Sequence, residues 1–183
     1  CDWSSDVCSS DLGYVKAVNG GRGTKEISLS LNRATNTLRQ PGSTFKVLTA
    51  FAPALDTCGA TLSTVYYDAP YTVGQKTFRN WYAKKGYMGY STIRDGIVYS
   101  MNIVAVRCMM ETVTPQLGVE YARNFGITSL TETDYNAATA LGGITKGVSN
   151  LELTGAYAAI ANGGIYTKPV FFTKILDHNG KVL

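Results

Sequence analysis

The chain sets its helical patterns between strand-like runs at either end, and that order limits the folds open to it. Gly13 to Val18 (GYVKAV) reads as a strand closed by Asn19-Gly20-Gly21. Near the far end Val170 to Leu176 reads as another, followed by the turn Asp177-His178-Asn179-Gly180 and a short run, Lys181 to Leu183. Between them, Ser43 to Leu55 has a helical apolar pattern that is bent or ended near Pro53. Ser91 can cap a short helix, Asn102 to Thr112 forms a second apolar one, and Thr114-Pro115 opens a third in cap-then-proline order. Ser149 and Glu152 make a capping box before Leu151 to Ala161, which Gly163-Gly164 stops. The pattern predicts an α/β or α+β fold. Its strands are too few to fill a sheet, which predicts a truncated domain.

A length of 183 residues suits one domain. The chain is 45% hydrophobic and only 16% charged, enough apolar material for a core and too much for wholesale disorder. No apolar run reaches the roughly eighteen residues of a membrane span, and no basic-then-apolar leader opens the chain. Four cysteines without C-x-x-C pairing and a single histidine argue against a zinc site. Gly20-Gly21-Arg22-Gly23 lacks a Walker lysine, so no phosphate cradle or other cofactor is expected. The net charge of +4 is scattered, which excludes the basic stripe of a nucleic-acid binder. Residues 1–12 (CDWSSDVCSSDL) show neither helical nor strand period and read as a non-native leader or junction scar, with a frayed native terminus as the alternative, leaving 13–183 as the domain. Residues 58–90 read as a long, tyrosine-rich excursion around Trp81, of the kind that borders a site.

Serine chemistry through a Ser-His-Asp triad needs a histidine, and His178 lies in the terminal turn. Lysine is the usual substitute, and Ser43-Thr44-Phe45-Lys46 supplies the pair: residues three apart on a helix share a face. Ser43 stands at the helix start, where free backbone N–H groups favour a developing oxyanion. Desolvation of Lys46 would lower its pKa and let it accept the serine proton near neutral pH. Alone, the triplet equally fits an ordinary cap followed by a surface lysine. Ser100-Met101-Asn102 offers a proton relay and a substrate-holding amide, or simply a helix cap, and Ser30-Leu31-Asn32 is a decoy of the same form. Glu120 and Asn124 share the spacing of a deacylating pair but sit inside a helical pattern as a solvated face. Trp81 and its tyrosines either line a groove or pack a loop. Cys58 and Cys108 read as buried thiols rather than a disulfide, since nothing else in the chain needs a staple.

The wider context is more specific. Asn32-Arg33-Ala34-Thr35 followed by Leu38-Arg39-Gln40-Pro41-Gly42-Ser43-Thr44-Phe45-Lys46 resembles the start of the transpeptidase domain of class A penicillin-binding proteins. Asn80-Trp81, Tyr90 to Arg94, Ser100-Met101-Asn102, Leu141-Gly142-Gly143, Val148 to Glu152 and Ala161 to Gly164 follow in the family's order. The likeness runs from Gly13 to Leu183. It implies the penicillin-binding-protein/β-lactamase-like fold, an antiparallel sheet flanked by helices plus a helical lobe, here with an incomplete sheet. It implies Ser43, Lys46 and Ser100 as catalytic residues of a serine-type D-Ala-D-Ala transpeptidase/carboxypeptidase, and Asn102 as a substrate-binding one. The implied partners are peptidoglycan stem peptides, their lipid-linked precursor and β-lactam antibiotics, with the enzyme acting outside the cytoplasmic membrane.

Some family features are absent. The third motif, Lys-Thr-Gly or Lys-Ser-Gly, does not occur: Thr145-Lys146-Gly147 has the letters out of order, and Lys76-Thr77-Phe78 lacks the glycine. The first sheet strand before Gly13, the membrane anchor and the glycosyltransferase domain of a parent protein are missing too, so an internal fragment is expected, and it could be inactive. The rival readings are a non-catalytic β-lactam-binding sensor or degenerate scaffold of the same fold and, behind it, a β-lactamase.

Overall fold

The computed structural model describes residues 6–9, 13–24 and 26–183, in two compact units: Gln40–Gly147, and the segments up to Arg39 and from Val148 onward. In the flanking unit, β1 (Asp6–Ser9) pairs antiparallel with β2 (Val15–Asn19), with Asp6 opposite Asn19 and Cys8 opposite Ala17. The sequence pattern predicts no strand before Gly13. One forms there because β2 offers an edge, and backbone pairing needs no alternating side chains. The rest of the suggested leader, residues 1–5 and 10–12, lies outside the described residues. Next comes α1 (Arg33–Asn36), whose Ala34 N–H donates to Asn32 Oδ1 at 3.0 Å. The decoy triplet therefore ends in a helix cap.

Within Gln40–Gly147 a helical rod runs from Gly42 to Asp56: a 3₁₀ turn (Gly42–Thr44), a π segment (Val47–Phe51) and α2 (Ala52–Asp56). The rod does not end at Pro53. The Ala52 N–H reaches back five residues to the Val47 carbonyl, and this wider turn absorbs the donor that proline lacks. Residues 58–90 are not a plain loop. They contain β3 (Val65–Asp68), β4 (Tyr71–Val73), β5 (Lys76–Phe78) and the start of β6 (Gly89–Thr92), with β3 on β6 and β4 on β5, both antiparallel. Along β3, Tyr66 and Asp68 are buried while Val65 and Tyr67 are exposed, the period of two that a half-buried strand requires.

The cap of α3 (Ile93–Val98) is Thr92, one residue later than expected: its Oγ1 accepts from Asp95 N–H at 3.1 Å and Asp95 Oδ2 accepts from Thr92 N–H at 2.9 Å. The Ser91 hydroxyl donates instead to the Gly89 carbonyl. Then follow α4 (Asn102–Arg107), prolonged by a π turn over Cys108–Val113, and α5 (Pro115–Asn124), opened by Thr114 as the sequence indicated. Phe45, Leu48, Ile93, Ile103, Val104 and Met109 are fully buried in this unit. Gly118 lets α5 close onto the rod, since a Cβ there would lie 2.4 Å from the Thr49 carbonyl oxygen. Cys58 and Cys108 are free thiols; Cys108 is buried and donates to the Ala50 carbonyl, and Cys58 is half-buried. Glu120 and Asn124 lie exposed on α5.

In the flanking unit again, α6 (Asn150–Ala161) starts at the expected capping box: Glu152 N–H donates to Ser149 Oγ at 3.2 Å, and Ser149 N–H to Glu152 Oε2 at 3.1 Å. The expected strand over Val170 to Leu176 does not form as a ladder. Only single bridges survive, Tyr14 with Val170 and Leu176 with Val182, around a turn held by Asp177 Oδ1. Phe171, Phe172 and Ile175 are exposed, so the run lacks the buried face that would fix a register. Among the described residues no helix is long and apolar enough to cross a membrane, and no cluster of side chains could hold a metal ion.

Candidate active site

Ser43, Lys46, Ser100 and Asn102 all lie in the Gln40–Gly147 unit. Ser43 is exposed in the 3₁₀ turn that opens the rod. That turn is held from two sides. Gln40 brackets the Ile144 backbone, its Nε2 donating to the carbonyl at 2.5 Å and its Oε1 accepting from the N–H at 2.9 Å. Gly142 packs directly on Gly42: a Cβ at Gly142 would fall 2.3 Å from the Gly42 oxygen and 2.5 Å from its nitrogen. Only glycine permits that approach, and its φ of +71° also belongs to the left-handed region.

One turn on, Lys46 is 2% exposed. Its Nζ donates to the Ser100 carbonyl at 2.6 Å and to Ser100 Oγ at 3.0 Å. Burial lowers its pKa from 10.5 to about 8 by penalising the charged form. Among the described residues no hydrogen bond joins Ser43 to Lys46, although the two share a face; the ammonium is turned to Ser100.

Ser100 is at φ +50°, a conformation L-residues avoid. It closes α3: Met101 N–H donates to the Gly96 carbonyl at 2.9 Å and Ser100 N–H to that of Ile97 at 3.3 Å. This is the Schellman arrangement, with serine at the position that glycine usually fills. The reversal leads straight into α4, so the helix ending of one element sets up the start of the next.

Asn102 is the first residue of α4, and its Nδ2 donates to the Arg79 carbonyl at 2.9 Å. Met101 in the cap position makes no side-chain cap. Asn80, 5% exposed, supplies one from outside: its Oδ1 accepts from the N–H groups of Asn102 at 2.8 Å and Ile103 at 3.1 Å. Its Nδ2 donates to Asp68 Oδ1 and to Tyr82 Oη, and Asp68 Oδ2 accepts from Tyr82 Oη and Met88 N–H. Beside these residues Trp81, Tyr82, Lys85, Tyr87, Met88 and Tyr99 line a cavity of about 290 Å³. Trp81 Nε1 donates to the carbonyl of Tyr99, next to Ser100, so Trp81 both borders a groove and fastens a loop.

Sequence reasoning singled out all four candidates. It gave no role to Asp68, Gln40 or Asn80, the last noted only beside Trp81. A side chain that serves a helix 22 residues away leaves no local spacing to find. His178 is exposed in its turn, remote in sequence from every candidate.

The penicillin-binding protein transpeptidase domain model matches residues 13–182. Penicillin-binding protein 1A of Clostridium tetani is 38% identical across 98% of this chain and 24% of its own length. The crystal structure of penicillin-binding protein 1A from Haemophilus influenzae superposes with a TM-score of 0.82 at 33% identity, over 98% of this chain and 26% of that one. The PonA1 protein of Mycobacterium tuberculosis in complex with penicillin V gives 0.85 at 27% identity, over 98% and 48%. The chain belongs to the penicillin-binding-protein transpeptidase family. Its mixture of helices and small antiparallel sheets is that family's fold. It spans about a quarter of the length of the curated relatives it matches.

Proposed function

We propose that the chain is the serine acyl-transfer part of a peptidoglycan D,D-transpeptidase of the penicillin-binding protein 1A kind. The observation that carries this reading is the buried Lys46 amine, poised near pH 8 one turn beyond an exposed helix-start serine and bonded to Ser100. In the proposed reaction Ser43 Oγ attacks the carbonyl between the last two D-alanines of a stem peptide. The neutral Lys46 amine takes the serine proton, and Ser100 Oγ relays it to the departing D-alanine nitrogen as the C–N bond breaks. The Ser43 ester then passes its acyl group to an amine of a neighbouring stem, which returns a proton along the same route. Backbone N–H groups at the rod's start face the developing oxyanion, and the Asn102 amide holds a substrate amide.

On this reading the substrates are stem peptides on glycan or on a lipid-linked precursor, met at the outer face of the cytoplasmic membrane by a membrane-anchored protein that also carries a glycosyltransferase domain. β-Lactams acylate the same serine; the penicillin V complex of a relative supports this assignment. The test is covalent labelling of the full-length protein with fluorescent penicillin. Wild type takes up the label and holds it, and Ser43→Ala takes up none; labelled Ser43→Ala overturns the assignment. Rapid release of hydrolysed penicillin from the wild type would favour a β-lactamase instead, and stable labelling without cross-linked product a sensor.

A further inference from the structure

We infer that Asn80 is a positioning residue for the acyl-transfer site: a detached cap that fixes the start of α4, and with it the Ser100–Asn102 corner, from a buried anchor on Asp68 and Tyr82. The inference rests on the function proposed above. A helix start leaves its first N–H groups without partners, and a side chain at the cap position normally supplies one. Met101 cannot, and it is fully buried, so water is excluded from that position as well. Asn80 Oδ1 takes both the Asn102 and the Ile103 N–H.

The orientation of the Asn80 amide is determined by its surroundings. Two N–H donors face Oδ1, while a carboxylate oxygen and a phenol oxygen face Nδ2. A flipped amide would set donor against donor on one side and acceptor against acceptor on the other. Asp68, 1% exposed, is what makes the choice, and it also accepts from Tyr82 and from Met88 N–H. The network runs from β3, through the segment after β5, to the first N–H groups of α4, two residues beyond the Ser100 that holds the Lys46 ammonium. Ser100 sits in an unfavourable conformation and needs a fixed neighbour on each side; α3 supplies one and Asn80 the other.

The same chemistry predicts which substitutions compensate. Asn80→Asp keeps an acceptor for the two N–H groups but sets a carboxylate against Asp68. Asp68→Asn alone removes the anion that orients the amide. The exchange Asp68→Asn with Asn80→Asp restores a matched set. The new amide at position 68 would donate its N–H to the new carboxylate at position 80 and accept from Met88 N–H through its oxygen. The Tyr82 hydroxyl would donate to the carboxylate at position 80.

The experiment measures the second-order rate of acylation by benzylpenicillin in the full-length protein, with amide hydrogen exchange at residues 102 and 103. Asn80→Ala and Asn80→Asp are expected to slow acylation at least about tenfold, and the double exchange to recover to within about threefold of wild type. In Asn80→Ala the two amides should exchange at least about tenfold faster, with Val106 unchanged. The inference is overturned if Asn80→Ala acylates at the wild-type rate, if the double exchange is as slow as Asn80→Asp, or if exchange at 102 and 103 does not change. Should Asn80→Ala not fold, the near-isosteric exchange pair decides. Should the wild type take up no penicillin, the proposed function fails, while the amide exchange of the pair still tests the cap.

Discussion

The two units of the chain stabilise themselves by different means. Among the described residues, all of the largest fully buried side chains, from Phe45 and Leu48 to Val106 and Val119, belong to Gln40–Gly147. Among the described residues of the flanking unit, the fully buried apolar ones are small: Ala34, Ala156 and Ala159. Its large apolar groups, among them Leu29, Ile165, Phe171, Phe172 and Leu183, are exposed. One unit has a core in the ordinary sense. The other relies on backbone bonds such as those joining Arg39 to Val148 and Val15 to Val170, on caps, and on close contacts such as Gly155 against Pro169. Since apolar burial is the main favourable contribution to folding, the same substitution should cost very different amounts in the two.

The largest contrast should come from the core. Ile103→Ala removes a fully buried side chain from α4 and should lower unfolding stability by about 4 kcal/mol in a denaturant titration. A loss below about 1 kcal/mol would mean that the core collapses freely and that the two units differ less than their burial suggests.

The next effect belongs to Lys46 and depends on pH. Its amine releases a proton near pH 8 when folded and near 10.5 when unfolded, so between those values the unfolded chain binds more protons. Stability relative to Lys46→Met should therefore rise across that window, by a total on the order of 3 kcal/mol. The folded state gains nothing further above it, and below it bears the full cost of a buried ammonium. Parallel denaturation curves at about pH 7, 9 and 10.5 check the sign, and a flat difference would place the amine in water.

The smallest effect should lie in the flanking unit. Phe172→Ser deletes an exposed aromatic and should shift stability by less than about 0.5 kcal/mol, while light scattering shows less self-association. A cost comparable with that of Ile103→Ala would show that Phe172 is covered in solution and would erase the contrast between the units.

What the sequence disclosed divides along a similar line. The Ser149–Glu152 box, the Thr114-Pro115 opening and the Ser43–Lys46 spacing are local, and each is legible in the residues themselves. Pro53 left a bend and an end both open, because a proline breaks a helix only if the register stays α, and the π turn ahead of it depends on how the rod packs. Residues 58–90 misled because strands of three or four residues are specified by their partners, Tyr66 by Ser91 and Thr72 by Thr77, more than by their own alternation. At the candidate site the sequence offers four candidate residues but not their geometry. Neither the left-handed turn at Ser100 nor the service that Asn80 gives to α4 follows from neighbours in sequence; both need chain segments to be already assembled.

The serine at the end of α3 also bears on how the candidate site is held. A glycine at residue 100 would suit the backbone better, and selection for folding alone would put one there. Keeping a hydroxyl instead means that the corner is held under tension, like a catch that its neighbours keep closed. The neighbours that close this catch are also what set its oxygen against the Lys46 amine.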